Sequence, residues 1–434
     1  MNARRVPGLA VVMVFTLTLG SGLASGAETE TETPAVPDPV PQVPARLTLD
    51  AAVALALDFS PDLADSSWQV RAAEGREIQA GKAPNTQLDL RLSRLGETGG
   101  VEDVERRRVV LRQPFELGGK RRRRVDLAQI EGRLADWSHE ARRAEVSADV
   151  AVRFAEVLGA QRRVELCREL VDYIEKLHAA AGRMVETGSL GRMEMQLIVQ
   201  RLGLARIDSR RAEADLAADR FRLAAIWGSS APEFDEVVGD LESAGPIPSI
   251  DAVLEMAKNS PAKDLWEAQL ERSQAELSLA RSGAVPDLEV GLGVAWQQDT
   301  SLRDYLLDLE IDLPLFDRNQ GNIRAAQSEV SRTKARRDAA EATLARRIAN
   351  LYYRLSETEA QSSILGNEVI PAARTTVEAF RLGFLGQADG LVDLLDSRRD
   401  LAETQIDRTD TLVDYRQTLA ELEYIIGQPL IPTE

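Results

Sequence analysis

Apolar and polar residues follow two different periods along this chain. Leu288, Val290, Leu292, Val294 and Trp296 alternate with Glu289, Gly291, Gly293, Ala295 and Gln297. On the return stretch Tyr305, Leu307, Leu309, Ile311 and Leu313 are set against Leu306, Asp308, Glu310 and Asp312. A period of two belongs to a strand with unlike faces. The pattern predicts strand pairs at 86–97 with 105–115 and at 287–298 with 303–314. Pro114 and Pro314 are expected to end the second strand of each pair, because proline cannot extend a ladder. One face is apolar and the other small or acidic, which suits lipid on one side and water on the other. A length of ~10 residues suits a tilted membrane strand. The same alternation would also suit a hairpin lying on a soluble core.

The second period is helical. Between 121 and 184 there is no proline, and Ile130, Leu134, Trp137, Ala141, Ala144, Ala148, Ala151, Ala155 and Leu158 recur at 4-3 spacing. This heptad seam of mostly small residues predicts close helix packing. About sixty residues at ~1.5 Å rise give a helix of about 95 Å. Residues 319–381 form an equally long second copy. An ordinary coiled-coil dimer is the simplest alternative use of such seams.

The second copy is part of a duplication. Leu49-Asp50-Ala51 with Ser60-Pro61 returns as Ile250-Asp251-Ala252 with Ser260-Pro261. Leu111-Arg112-Gln113-Pro114-Phe115 returns as Ile311-Asp312-Leu313-Pro314-Leu315, and Trp227-Gly228 as Ile426-Gly427. The conserved order predicts a first repeat over 47–228 and a second over 248–434, joined by a connecting segment at 229–247. Each repeat reads helix, strand, strand, very long helix, turn, long helix.

Residues 1–27 read as a secretory signal: Arg4 and Arg5, an apolar run from Ala10 to Leu19, and Ser25-Gly26-Ala27 at the cleavage point. A Pro-rich linker follows over 28–46. The formal charge of −17 argues against nucleic acid as a partner. One cysteine and two histidines exclude a Cys-rich metal centre and an intramolecular disulfide. Cys167 is far from the leader, so no lipid-modified N-terminal cysteine is expected, and no nucleophile–base cluster suggests an enzyme.

Four strands cannot close a barrel, so several chains would have to share one. Two strand-pair units feeding very long helices in an exported acidic chain resemble the TolC-like outer-membrane efflux proteins. Pro114-Phe115-Glu116-Leu117-Gly118-Gly119-Lys120-Arg121 and Leu313-Pro314-Leu315-Phe316-Asp317-Arg318-Asn319-Gln320-Gly321 are similar to that family's strand-to-helix junctions, nearest to its CzcC-like cation-efflux branch. The resemblance implies a mainly α fold with a small transmembrane β part. It implies a homotrimer with a twelve-strand barrel in the outer membrane of a Gram-negative-type bacterium and a helical tube in the periplasm. The implied function is a passive exit duct for metal cations, without cofactor. The implied partners are a periplasmic adaptor and an inner-membrane pump of the RND type. Competing readings are a soluble periplasmic coiled-coil or adaptor-like protein, and the same duct serving drugs or type I secretion.

The resemblance also places residues. The turns at Gly188-Ser189-Leu190-Gly191 and Gly383-Phe384-Leu385-Gly386 would meet the adaptor. Phe115, Trp296, Tyr305 and Phe316 are candidate membrane-interface aromatics. Asp389, Asp393, Asp396, Asp400, Glu403, Asp407, Asp410 and Asp414 form an acidic line on one heptad face. The line is either a solvated outer face or a cation-attracting lumen wall. Asp393 and Asp396 match the family segment that narrows the periplasmic entrance. Export predicts a mature chain beginning at Glu28 without lipid, which intact-protein mass spectrometry checks.

Overall fold

Each half of the chain begins its first helix in the same way, with the Thr48 and Ser249 hydroxyls accepting the N–H groups of Ala51 and Ala252 at 3.4 Å. The computed structural model describes residues 43–93, 106–188, 190–242, 245–258, 260–297, 303–387 and 390–431, so the expected signal and most of the linker lie outside it. The elements below belong to the unit beginning at Pro44. The first half holds β1 (Arg46–Leu47), α1 (Leu49–Phe59), α2 (Pro61–Ala80), β2 (Gln87–Ser93), β3 (Arg106–Phe115), α3 (Lys120–Glu186) and α4 (Arg192–Ala225). After β4 (Glu236–Val237) come α5 (Ile250–Ala257), α6 (Pro261–Ser282), β5 (Leu288–Gln297), β6 (Arg303–Ile311) and α7 (Gln320–Ile364). A π-helical turn, Leu365–Val369, leads into α8 (Ile370–Gln387), and α9 (Leu391–Ile426) ends the order.

The strand-to-helix junctions share one backbone device. Gly119 has φ 72° and Asn319 has φ 59°, a left-handed conformation that glycine adopts freely and asparagine tolerates. The Asn319 amide donates to the Ala280 carbonyl at 2.6 Å, which holds the second junction against α6. Gly228 and Gly427, at φ 76° and 78°, turn the chain after α4 and α9.

The 67 residues of α3 span ~100 Å. The helix packs against α2, α4 and α9. Its buried line is Val146, Val150, Phe154, Val157, Val164, Cys167, Ile174 and Ala181. This differs from the expected alanine seam, of which Ala155 is fully buried while Trp137 and Ala144 are exposed. Valine and phenylalanine take more apolar area out of water than alanine, so contacts within the chain follow them.

The second long helix is interrupted where an unbroken one was expected. Pro371 has no N–H, and its ring would clash with the Asn367 carbonyl in a regular helix. The π turn widens the backbone there and lets the helix continue. Gly366 leaves room in that turn for Arg408: an added Cβ would stand 2.8 Å from its Nε.

The four long strands form an antiparallel sheet in the order β2-β3-β5-β6. Pro114 does not end β3; it pairs with Glu289. β2 begins at Gln87, opposite Arg112, so Pro114 lies past the end of that neighbour and has only β5 beside it. Leu88, Leu111, Leu292 and Leu307 make one cross-strand row, and Leu90, Val109, Val294 and Tyr305 the next. Leu88, Leu92, Leu111, Leu292, Leu307 and Leu309 are each between 53% and 67% exposed, so a broad apolar face is uncovered in the single chain. Among the described residues no helix is long and apolar enough to cross a membrane.

On the opposite face Val110 is fully buried over Gly291 and Gly293. A Cβ at Gly293 would stand 2.4 Å from the Val109 carbonyl oxygen and 2.6 Å from Val110 Cγ2. Gly293→Val should therefore break the β3–β5 pairing. The expected outcome is loss of the protein from the membrane fraction, measured by immunoblot, with Gly321→Ala, where a Cβ meets open space, as the tolerated control.

Candidate transport pathway and its charged residues

Helix α9 buries Leu391, Leu394, Leu395, Leu401, Leu412, Tyr415, Leu419, Leu422 and Ile426, which turns its acidic line away from the core. That line is not uniform. Asp396 pairs with Arg201 of α4 at 2.6 Å, Asp410 with Arg163 of α3 at 2.5 Å and Asp414 with Arg354 of α7 at 3.5 Å. Glu403 pairs with Arg399 of its own helix at 2.6 Å. Asp393, Asp400 and Asp407 are exposed and have no ion pair among the described residues. Asp389 lies outside those residues. A step of three residues swings a side chain by about 60° on a helix, so the line splits into two seven-spaced files, Asp396–Glu403–Asp410 and Asp393–Asp400–Asp407–Asp414. Asp396 and Asp410 of the first file face neighbouring helices, and in the second file Asp414 alone meets an arginine, where α7 lies beside it. Arg163, Arg201 and Arg354 were not singled out from sequence, because each is a lone cation on a helix surface until the helices pack.

The two expected tips are built differently. Gly188, at φ 75°, makes the α3–α4 turn, and Gly191 caps α4; Ser189 lies outside the described residues. Gly383, Phe384, Leu385 and Gly386 are in the last turn of α8 and not in a connecting turn. The backbone at Gly390, φ 83°, precedes α9. Leu190 and Phe384 face inward at 7% and 2% exposure, in one cluster with Ile198, Val377, Leu391, Leu394 and Leu395. Burying a phenylalanine stabilises by about 1.5–3 kcal/mol, which offsets about 1 kcal/mol for each helical glycine. Among the described residues, Met193, Leu382 and Val392 are apolar side chains left exposed around this end, at 80%, 58% and 50%. Sequence periodicity gave no signal for them.

The non-apolar face of the sheet was expected to be small or acidic, and it also carries arginine. Arg108 pairs with Asp308, and Arg112 reaches Glu310 at 2.9 Å, Asp89 at 3.5 Å and Asp308 at 3.7 Å. Register brings these together, since Gln87, Arg112, Gly291 and Asp308 share a row. Gly291 leaves the space across which Arg112 reaches the β6 carboxylates. Phe115, Trp296, Tyr305 and Phe316 are exposed, at 49%, 37%, 85% and 90%. Phe115 and Phe316 lie at the helix end of the sheet, and Trp296 and Tyr305 at the other.

The basic run at the start of α3 is partly consumed by local acids. Arg124 donates to Glu116 at 2.6 and 3.0 Å and to the Ala80 carbonyl at 3.2 Å, and Lys120 pairs with Asp287 at 2.8 Å. Elsewhere His139 Nδ1 lies 2.8 Å from the Ser66 hydroxyl. Cys167 is buried, and burial pushes its thiol up. Among the described residues no three or more His, Cys, Asp or Glu side chains converge as a metal centre.

The family model described as outer membrane efflux protein matches residues 52–229 and 241–428. The chain belongs to that family. Its members are channels that work with an adaptor and an inner-membrane pump in tripartite systems. The family match displaces the reading as a soluble coiled-coil protein. The cobalt-zinc-cadmium resistance protein CzcC of Cupriavidus metallidurans is 29% identical over 81% of this chain and 83% of its own. The nickel-cobalt-cadmium resistance protein NccC of Alcaligenes xylosoxydans is 27% identical over 68% of this chain and 67% of its own. The outer-membrane channel OprN shares the fold with TM-score 0.73 at 15% identity, over 88% of this chain and 91% of its own.

The hydrogen bond from Arg124 holds the Glu116 carboxyl below the ordinary value of 4.5. A carboxylate with a lowered folded pKa adds stability above its unfolded value and loses it as pH falls through the folded one. The wild-type protein should therefore melt above Glu116→Gln at pH 7, and the gap should close at pH values well under 4.5, as followed by circular dichroism.

Proposed function

We propose that this chain forms the outer-membrane exit duct of a tripartite metal-cation efflux system, as a homotrimer whose sheets close one twelve-strand barrel. Residues 1–27 are the export signal of this reading, the mature N-terminus carries no lipid, and the pump is of the RND type. The observation that carries the barrel is the sheet itself. Its outer face is apolar and uncovered, and β2 and β6 each have one unpaired edge. Unpaired backbone groups cannot remain in hydrocarbon, so β6 of one copy pairs with β2 of the next.

Asp393, Asp400 and Asp407 support the cation reading. They are exposed at seven-residue intervals with no ion pair among the described residues, while Asp396 is held by Arg201. In this reading three Asp393 carboxylates narrow the periplasmic entrance and attract divalent cations. Met193, Leu382 and Val392 join Gly188 and Gly383 as the surface offered to the adaptor. The metal-resistance relatives support cobalt, zinc, cadmium or nickel as cargo.

Mass measurement in mild detergent should give three chains, and a stable monomer would refute the assembly. In planar bilayers Asp393→Ala should weaken divalent block from the periplasmic side severalfold. Unchanged block in assembled Asp393→Ala would put the line on an outer face. A deletion strain should lose tolerance to these metals; sensitivity to drugs with unchanged metal tolerance would favour the drug-duct reading.

A further inference from the structure

The duplication sets two helix grooves side by side for comparison. In the first repeat α2 and α3 close on each other. Leu63 is 6% exposed, the Ser66 hydroxyl lies 2.8 Å from His139 Nδ1, and Asp62 pairs with Arg142 at 2.9 Å. Counting 200 positions on, as from Ser60-Pro61 to Ser260-Pro261, the sites of Leu63, Ser66, His139, Asp62 and Arg142 become Lys263, Trp266, Ala339, Ala262 and Ala342. Neither bridge can form with alanine there, and a groove of about 680 Å³ is left between α6 and α7, with α5 as part of its wall. Leu254, Ala257, Trp266, Ala340, Leu344 and Ile348 make that wall apolar. From Ala339 to Ile348 the lining runs nine helical steps, about 14 Å at ~1.5 Å each.

One end of the groove is polar. Ser260 begins α6 and is 0% exposed, yet among the described residues its hydroxyl has no hydrogen-bond partner. Unlike Thr48 and Ser249, it caps no N–H of its own helix. Its chain neighbour outside the described residues, Asn259, carries no carboxylate. Lys263, one turn on, lines the same end, is exposed and makes no ion pair among the described residues. The other basic groups of the lining are engaged, Lys258 with Glu255 and Arg347 with Glu421, each at 2.5 Å. Glu341, on α7, lies 3.9 Å from Arg337. The start of the 22-residue α6 adds unpaired N–H groups and partial positive charge. Hydroxyl, ammonium and helix end together suit one anion.

We infer that this groove binds a single-chain amphiphile with a carboxylate head, a fatty acid of about the length of dodecanoate. Ser260 Oγ and Lys263 Nζ donate to the carboxylate, and the chain lies against Trp266, Ala340 and Leu344. One ammonium, with Glu341 across the groove, suits a single negative charge better than the two of a phosphate monoester. The volume is in the ordinary range of small-molecule sites, ~300–1,000 Å³. The inference goes beyond the duct reading and does not depend on its cargo.

The test is quenching of tryptophan emission by 12-bromododecanoate in the full protein, assembled and held in a non-ionic amphipol. Wild type should show a saturable loss of emission, and Trp266→Phe should lose that component. Lys263→Gln should raise the half-saturating concentration about fivefold, and Ser260→Ala about threefold. Lys334→Gln, an exposed α7 charge outside the groove, should change nothing. The methyl ester of the probe should bind wild type more weakly than the acid does. Dodecanoate should displace the probe at a lower concentration than dodecyl phosphate. Quenching that never saturates overturns the site, as does the same saturable quenching in Trp266→Phe; the first is also the result if a neighbouring copy fills the groove. Equal binding of acid and ester, or an equal loss in Lys334→Gln, overturns the charged head. Tighter binding of dodecyl phosphate overturns the carboxylate. Should Ser260→Ala fail to assemble, Lys263→Gln, at an exposed side chain, must still weaken binding.

Discussion

Backbone hydrogen bonding in apolar surroundings is the constraint on which the rest depends. Four antiparallel strands present leucine and valine on one face, and their outermost strands, β2 and β6, each keep one unpaired edge. Such a sheet is stable neither in water, where the apolar face is exposed, nor in lipid, where the edges are unsatisfied. In the proposed trimer, closure through other copies would resolve both demands together. The duplicated sequence supplies two strand pairs with matched junctions, and Gly119 and Asn319 launch the two long helices from the same end of the sheet.

The helical part follows from a division of labour among side chains. Valine, phenylalanine and leucine lines are used inside the chain, as in the cluster of Leu355, Tyr415, Leu419 and Leu422 between α7 and α9. The alanine line of α3 is half-buried at Ala141, Ala148 and Ala151 and buried at Ala155, so it contributes less apolar area than the valine line beside it. Arginines on α3, α4 and α7 then reach α9 and pair with three members of its acidic line, Asp410, Asp396 and Asp414. A strip of like charges too repulsive to sit unrelieved along one helix becomes a sparser line of free carboxylates. On the small-residue face of the sheet, Arg108 and Arg112 perform the same neutralisation for Asp89, Asp308 and Glu310.

The π turn before Pro371 and the two helical glycines in α8 show local cost accepted for tertiary gain. The proline removes a hydrogen bond and the glycines weaken the last turns, yet the helix persists to Gln387 because Val377 and Phe384 are buried against α9 and the α3–α4 turn. The same chemistry explains why the second repeat departs from the first at this end.

The sequence by itself determined the duplication, the two strand pairs and their faces, the long helices and where strand gives way to helix. Each of these rests on periodicity or on residues with a distinctive backbone range, narrow at Pro61 and Pro261 and wide at Gly119. It also carried enough local wording to place the chain in its family. Only the tertiary structure decided which of two seams on α3 is buried and which aspartates of α9 are free. It alone brought Arg112 to the β6 carboxylates and turned Leu190 and Phe384 inward. Those outcomes depend on the angle and register at which separate elements meet. A pattern within one element fixes its faces, but a pair such as Arg201 and Asp396, 195 positions apart, exists only once α4 and α9 lie side by side.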